Sequence, residues 1–171
     1  MIDQTGNRAV PPLTPCEEAA WQALGRAVVV IPRVLDSDLI ESDGLTMTEY
    51  TVLMNLSEAP DGSLRMSGLA NYVSITVSGL TRVVGRLSSH GLVERARAPT
   101  DGRGQLAVLT PAGLTRLERA WPSHLASVRR RVLNHLGGID LAAFADAISR
   151  VADADRGPPV RPGRRPFSSG R

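Results

Sequence analysis

Apolar residues recur at helical spacing in the first part of the chain, between about residues 14 and 42, as on one face of a long amphipathic helix. The apolar positions are Ala20, Trp21, Leu24, Val28, Ile31 and Leu35. Thr14 and Glu17 have the spacing of a capping box, with Pro15 at the first helical position, which indicates where the helix begins. Pro32 lies near the middle, and we expect a kink there.

Shorter elements follow between about residues 46 and 110. Thr46 and Glu49 repeat the capping-box spacing and predict a second helix, which ends before a Pro-Asp-Gly turn. The pattern then predicts a short helix over residues 66–73, a three-residue break, and a helix over residues 77–90 that stops at a glycine. Two short helices around a tight turn are typical of a helix-turn-helix.

The next segment predicts a β-hairpin and two further helices. Residues 92–97 and 105–109 are expected to form a two-stranded wing, joined by a polar, glycine-containing turn. Thr110 and Pro111 begin a helix that extends to about Leu136, and Asp140 caps a last helix that extends to about residue 154. The fold class is therefore mainly α with a small β-wing.

The charges are unevenly distributed along the chain. Its pI of about 9.9 comes from residues 156–171, which contain five arginines and no acidic residue. These residues and residues 1–13 are rich in Pro, Gly and polar side chains, and both ends are predicted to be disordered. Residues 36–61 contain seven acidic residues and no arginine, whereas residues 62–104 contain six arginines and two acidic residues. We expect the second of these segments to face an anion.

Several classes of protein find no support in the sequence. The chain has no apolar run long enough for a membrane span and no signal-peptide pattern, which favours a soluble cytoplasmic protein. Cys16 is the only cysteine and the three histidines are scattered, so we expect no disulfide, metal site or cofactor. The common catalytic motifs are also missing, and the chain is not predicted to be an enzyme.

The order of elements resembles that of the MarR family of bacterial transcriptional regulators. The resemblance is carried by the segment LANYVSITVSGLTRVVGRLSSHGLVER, followed by PTDGRGQLAVLTPAG. Asp101 and Arg103 match the Asp-x-Arg of the family's wing tip, and Leu109, Thr110 and Gly113 match its exit from strand to helix. The resemblance implies a homodimer that binds palindromic double-stranded DNA. In that arrangement a winged helix-turn-helix lobe spans about residues 46–110, and dimerisation helices span about residues 14–42 and 111–154.

Candidate DNA contacts follow from the position of the second helix of a helix-turn-helix in the major groove. The base-facing candidates on this helix are Val77, Ser78, Thr81 and Arg82, while Leu80, Val83, Val84 and Leu87 are predicted to be core. Thr76 is the expected cap, and Arg103 is expected in the minor groove, oriented by Asp101. Candidates for phosphate neutralisation, each of which is otherwise a solvated side chain, are Arg65, Arg86, Arg95 and Arg97.

The resemblance also implies a repressor that is relieved by a small aromatic or lipophilic effector, bound where the dimer helices meet the lobe. Trp21, Met47 and Met54 are apolar candidates for that pocket, with ordinary core packing as the alternative. Two other functions remain open. One is a winged-helix module that binds proteins instead of DNA, and the other is a redox sensor based on Cys16, which lies in the first turn of its helix.

Overall fold

A computed structural model describes residues 10–97 and 104–153 of the chain. In order, its elements are α1 (Pro15–Asp43), α2 (Met47–Glu58), β1 (Ser63–Arg65), α3 (Met66–Val73), α4 (Val77–Ser89), β2 (Val93–Arg97), β3 (Gln105–Leu109), α5 (Pro111–Arg131), a 3₁₀-helix (Leu133–His135) and α6 (Leu141–Asp153). The predicted fold class is confirmed. The predicted tail, 156–171, lies outside the described residues, and the predicted N-terminal disorder overlaps them only at residues 10–13.

Threonine side chains fix the starts of four helices. The hydroxyl oxygen of each cap accepts a hydrogen bond from the backbone N–H three residues later, which satisfies a donor that has no partner within the helix. The caps are Thr14, Thr46, Thr76 and Thr110. Glu17 and Glu49 complete capping boxes by accepting from the cap residue's own N–H. These local signals explain why the predicted helix starts agree with the structure.

A Schellman motif ends α4 and begins the wing. Gly91 adopts a positive φ of 70°, its N–H donates to the carbonyl oxygen of Ser88, and the N–H of Leu92 donates to the carbonyl oxygen of Leu87. The helix ends at Ser89, one residue before the predicted end. The motif reverses the direction of the chain, and β2 begins two residues after Gly91.

The wing is a three-stranded sheet, so the prediction of two strands was wrong. β1 pairs with β3, and β3 pairs with β2, both in antiparallel orientation. β1 has only three residues, too few for a recognisable alternation, and its strand conformation depends on its partner β3. The helix predicted to continue to about Leu136 ends at Arg131, because the chain tightens there into 3₁₀ turns.

The hydrophobic core lies in the central lobe. It is built from α2, α3, α4, the sheet and the first half of α5, with Leu39 added from α1. Its largest fully buried side chains are Tyr50, Leu39, Leu53, Leu56, Leu69, Leu80, Leu87, Leu117, Val52, Val84 and Val93. By contrast, Leu39 is the only buried residue of α1, and none of the residues of α6 is buried. The two ends of the described chain therefore present helices with uncovered apolar side chains.

Carboxylates of α1 hold neighbouring helices in place. Asp36 accepts a 2.6 Å hydrogen bond from the N–H of Met47, the first residue of α2. Asp38 accepts hydrogen bonds from Arg130 and Arg131 at the end of α5, at 2.8 and 2.7 Å, and another from the hydroxyl of Ser127. These hydrogen bonds, led by the one from Arg131, hold the pKa of Asp38 well below its usual range.

Candidate nucleic-acid interface

Helix α4 has one buried stripe and one exposed stripe. Leu80, Val83, Val84 and Leu87 are buried, which confirms the predicted core positions. The predicted base-facing residues, Val77, Ser78, Thr81 and Arg82, are all exposed. Val77 is 51% exposed although it is apolar, so its methyl groups are available to a partner. The helix contains Arg82 and Arg86 and no acidic residue.

Hydroxyl groups order the first turn of α4. Thr76 Oγ1 accepts from the N–H of Gly79 at 3.1 Å and lies 3.1 Å from Ser78 Oγ. Thr81 Oγ1 donates to the carbonyl oxygen of Val77 at 2.8 Å. The Thr81 proton is therefore used within the helix, and its hydroxyl oxygen keeps lone pairs that can accept from a base or a water molecule.

A groove of about 340 Å³ brings three predicted site residues together. Its lining includes Arg65 before α3, Val77 and Thr81 of α4, and two residues that sequence reasoning missed, Ser67 and Gln105. Ser67 is the second residue of α3 and Gln105 the first of β3, and neither position carries a pattern that marks a site. Helix starts and the wing thus converge on one polar, positively charged edge of the lobe.

The predicted phosphate-neutralising arginines differ in their partners. Arg86 Nε lies 3.1 Å from Glu49 Oε1, and Arg95 Nη2 donates to the carbonyl oxygen of Thr81 at 2.7 Å. Arg65 and Arg97 are exposed at the two outer strands of the sheet. The wing-tip residues of the prediction, Asp101 and Arg103, lie outside the described residues.

The three candidates for an effector pocket lie on α1 and α2. Trp21 is 67% exposed on the first half of α1, whereas Met47 and Met54 are half-buried and pack against the core. A groove of about 480 Å³ on α1 is lined by other residues of that helix, including Gln22 and Val29. The structure places the two methionines together on α2 and leaves Trp21 on the uncovered surface.

A polar pair occupies the contact between α2 and α5. The rings of Tyr50 and His124 are 4.5 Å apart between centroids, with 41° between their planes. Tyr50 Oη and His124 Nδ1 are both buried, and neither atom has a hydrogen-bond partner in residues 10–97 and 104–153. Burial raises the pKa of Tyr50 and lowers the pKa of His124, so both side chains favour their neutral forms.

Metal binding and membrane insertion find no support among the described residues. In residues 10–97 and 104–153, no group of three or more His, Cys, Asp or Glu side chains is arranged to hold a metal ion. None of the helices in those same ranges combines the length and apolarity needed to cross a membrane. Cys16 is exposed at the start of α1.

A helix-turn-helix followed by an antiparallel wing, with an exposed, arginine-bearing second helix, defines a winged helix-turn-helix protein. A family model described as MarR family matches residues 43–104, which run from the end of α1 to the start of β3. The multiple antibiotic resistance protein MarR of Salmonella typhimurium is 33% identical over 132 residues, covering 75% of this chain and 90% of that protein. The chain belongs to the MarR family of transcriptional regulators.

Solved structures agree with this assignment. Sco3205 of Streptomyces coelicolor, a MarR family transcriptional regulator crystallised in complex with DNA, is 32% identical with a TM-score of 0.80, over 92% of this chain and 99% of its own. AbsC, a MarR family transcriptional regulator of the same organism, is 34% identical with a TM-score of 0.78, over 87% of this chain and 100% of its own. The likeness extends over the terminal helices as well as the central lobe.

Proposed function

We propose that this protein is a homodimeric repressor that binds palindromic double-stranded DNA and is released by a small aromatic or lipophilic effector. Each protomer inserts α4 into a major groove, with the two grooves about one helical turn apart, and its wing contacts the neighbouring minor groove. The protein acts by binding, without catalysis. Occupation of the operator blocks the polymerase.

The observation that carries this proposal is the exposed stripe of α4. Ser78, Thr81 and Arg82 present hydroxyl and guanidinium groups from the half of the helix that enters a groove first, and Val77 presents methyl groups. Hydroxyls and arginine bond base edges and phosphates, while an aliphatic side chain packs against the thymine methyl. Because the opposite stripe is buried in the core, the helix is rigidly held while it presents these groups.

Uncovered apolar surface supports the homodimer. Val28, Val29 and Val30 of α1 are each at least half exposed, and Phe144 and Val151 of α6 are 40% and 63% exposed. A monomer in water rarely keeps contiguous apolar surface of this kind, and a second copy of the same helices would cover it. The similarity to Sco3205 and AbsC includes these terminal helices, which is consistent with a shared role.

The remaining predicted contacts complete the interface. Thr76 orders the first turn of α4 toward a phosphate, and Arg65 and Arg97 neutralise phosphates on either side of it. Arg103 enters the minor groove and Asp101 orients it. Arg86 contributes positive potential from its position beside Glu49.

The effector is proposed to bind between α1, α2 and α5. Met47 and Met54 supply apolar surface beside the core that contains Tyr50, and the buried atoms Tyr50 Oη and His124 Nδ1 supply hydrogen-bonding groups. Trp21, on the exposed first half of α1, is a further apolar candidate. Such a ligand alters DNA affinity only if it binds the free and DNA-bound conformations unequally. A thermal-shift screen of small aromatic acids, followed by gel shifts with each hit, tests this part separately.

The DNA-binding proposal is tested by gel shift of the purified protein on the intergenic DNA beside its own coding sequence, at two salt concentrations. Arg82→Met should weaken the shift and alter sequence preference, whereas Arg129→Met, which removes an exposed arginine from the end of α5, should not. A saturable shift that survives competitor DNA and responds only to Arg82→Met supports the proposal. No shift at either salt concentration would favour the protein-binding winged helix instead.

A further inference from the structure

Arg95 links the wing to the recognition helix α4. Its backbone lies in β2, where it pairs with Ala107 of β3, so the base of the side chain is held by the sheet. Its guanidinium Nη2 donates a 2.7 Å hydrogen bond to the backbone carbonyl oxygen of Thr81. That oxygen belongs to a helical residue, and a carbonyl has a second lone pair beyond the one used within the helix. The contact joins two elements that otherwise meet at the turn around Gly91.

Gly85 provides the space for this contact. A Cβ added at residue 85 would lie 3.3 Å from Arg95 Nη2, tighter than side-chain contacts normally are. Gly85 lies one helical turn after Thr81, on the same face, and its φ is not positive, so the backbone conformation does not require glycine. Glycine is disfavoured inside a helix, and the approach of the arginine is the feature of the structure that explains it.

We propose that Arg95 is a positioning residue: its side chain extends past Gly85 to the carbonyl oxygen of Thr81 and so fixes the angle between the wing and α4. This inference rests on the proposed function, in which α4 and the wing enter neighbouring grooves of one duplex. The angle between them then affects the affinity for DNA. Sequence reasoning treats Arg95 as one of four phosphate-neutralising arginines. The structure separates it from Arg97, which lies two residues further along the same strand face and whose side chain has no hydrogen bond or ion pair to a described residue.

Three variants test the link: Arg95→Met, Gly85→Ala and the double variant. Gly85→Ala complements Arg95→Met, because it crowds the guanidinium without changing any charge. Arg97→Met serves as the matched arginine comparison, and Gly68→Ala, whose added Cβ meets open space in α3, as the matched glycine comparison. Fluorescence anisotropy gives the Kd for operator and scrambled duplexes over about 50–200 mM salt.

We expect Arg95→Met to weaken operator binding by about three- to tenfold, the range for one ordinary intramolecular hydrogen bond. Gly85→Ala should weaken it by less, because the end of the arginine side chain has to move only slightly. The double variant should bind no more weakly than Arg95→Met, because both changes remove the same hydrogen bond. The slope of log K against log salt should stay at the wild-type value. Arg97→Met should instead lower the slope by about one for each phosphate that is no longer neutralised, about two in a dimer. Additive effects of the two changes, a lowered slope for Arg95→Met, or wild-type binding by Arg95→Met would overturn the inference.

Hydrogen exchange in the free protein separates this inference from the proposed function. Removal of the link should speed exchange of the β2 and β3 amides in Arg95→Met and Gly85→Ala, and not in Gly68→Ala. Unchanged exchange in the first two variants refutes the link even if the wild type binds its operator. Faster exchange in a protein that does not distinguish operator from scrambled DNA upholds the link and refutes the proposed function. Alanine is the better helix former, and this gain offsets the weakened hydrogen bond in the Tm of Gly85→Ala, so exchange of the β2 and β3 amides is the readout for the link.

Discussion

The first turn of α5 depends on a glycine that no other residue can replace without movement of the chain. A Cβ added at Gly113 would overlap the carbonyl oxygen of Leu92 and lie 2.8 Å from Leu109 Cδ1. Ordinary carbon contacts are about 3.5–4.0 Å. The same Leu92 oxygen accepts a 3.2 Å hydrogen bond from the N–H of Thr110, so relief of the overlap would strain the bond that joins α5 to the start of the wing.

Gly113→Ala should therefore destabilise the protein by about 3 kcal/mol. Overpacking of a tight contact costs about 1–3 kcal/mol, and a weakened backbone hydrogen bond adds about 1 kcal/mol. The higher helix propensity of alanine offsets at most about 1 kcal/mol. In a domain of this size, that destabilisation corresponds to a decrease in Tm of about 6–12 °C.

The measurement is urea denaturation followed by far-UV circular dichroism. Protein concentration must be the same for all variants, because the stability of the proposed dimer would depend on it. Gly68→Ala is the control, since its Cβ meets open space, and it should be neutral or slightly stabilising. If the free energies of unfolding of the two variants agree within about 0.5 kcal/mol, the close approach at Gly113 is not a steric constraint and the reasoning is refuted.

Three further predictions concern caps and titrating groups. Thr46→Ala should cost about 1 kcal/mol of unfolding free energy while Thr46→Ser should cost little, because only the hydroxyl caps α2; equal losses in denaturation would contradict this. Burial lowers the pKa of His124 in the folded state, so the unfolded state binds the proton first and the wild type should lose stability as pH falls below the ordinary value of 6.5. His124→Phe should lack this component when denaturation is compared at pH values above and below 6.5, and an unchanged pH dependence would refute the assignment. Hydrogen bonds, and not burial, lower the pKa of Asp38, but here too stability falls with falling pH: the stabilisation is present above pH 3.8 and is lost as pH falls through the pKa of the folded state. Asp38→Asn should therefore lower the Tm at neutral pH, and the difference in Tm from the wild type should narrow in acid.

The sequence predicted those features that depend on neighbouring residues. Cap residues, first-turn prolines and helix-stopping glycines each act within a few positions, and the helix starts at Thr14, Thr46 and Thr110 follow from them. Strand β1, which sequence reasoning missed, and the contact between Arg95 and Thr81 depend on partners that are distant along the chain. Local periodicity contains no information about such pairs, so the elements could be predicted while some of the contacts between them could not.

The same limit applies to charge. The acidic segment 36–61 and the basic segment 62–104 follow each other in sequence, and the fold pairs Glu49 of the first with Arg86 of the second. The proposed function assigns phosphate contacts on the described lobe to Arg65, Arg82 and Arg97, and two sets of these side chains act in the proposed dimer. At about 0.9 per neutralised phosphate, log K should fall with log salt with a slope of about −5 or steeper. Arg97→Met should reduce that slope more than Arg86→Met does, because Glu49 offsets part of the charge of Arg86. A wild-type slope shallower than about −3, measured by anisotropy, would mean that these side chains do not meet phosphates.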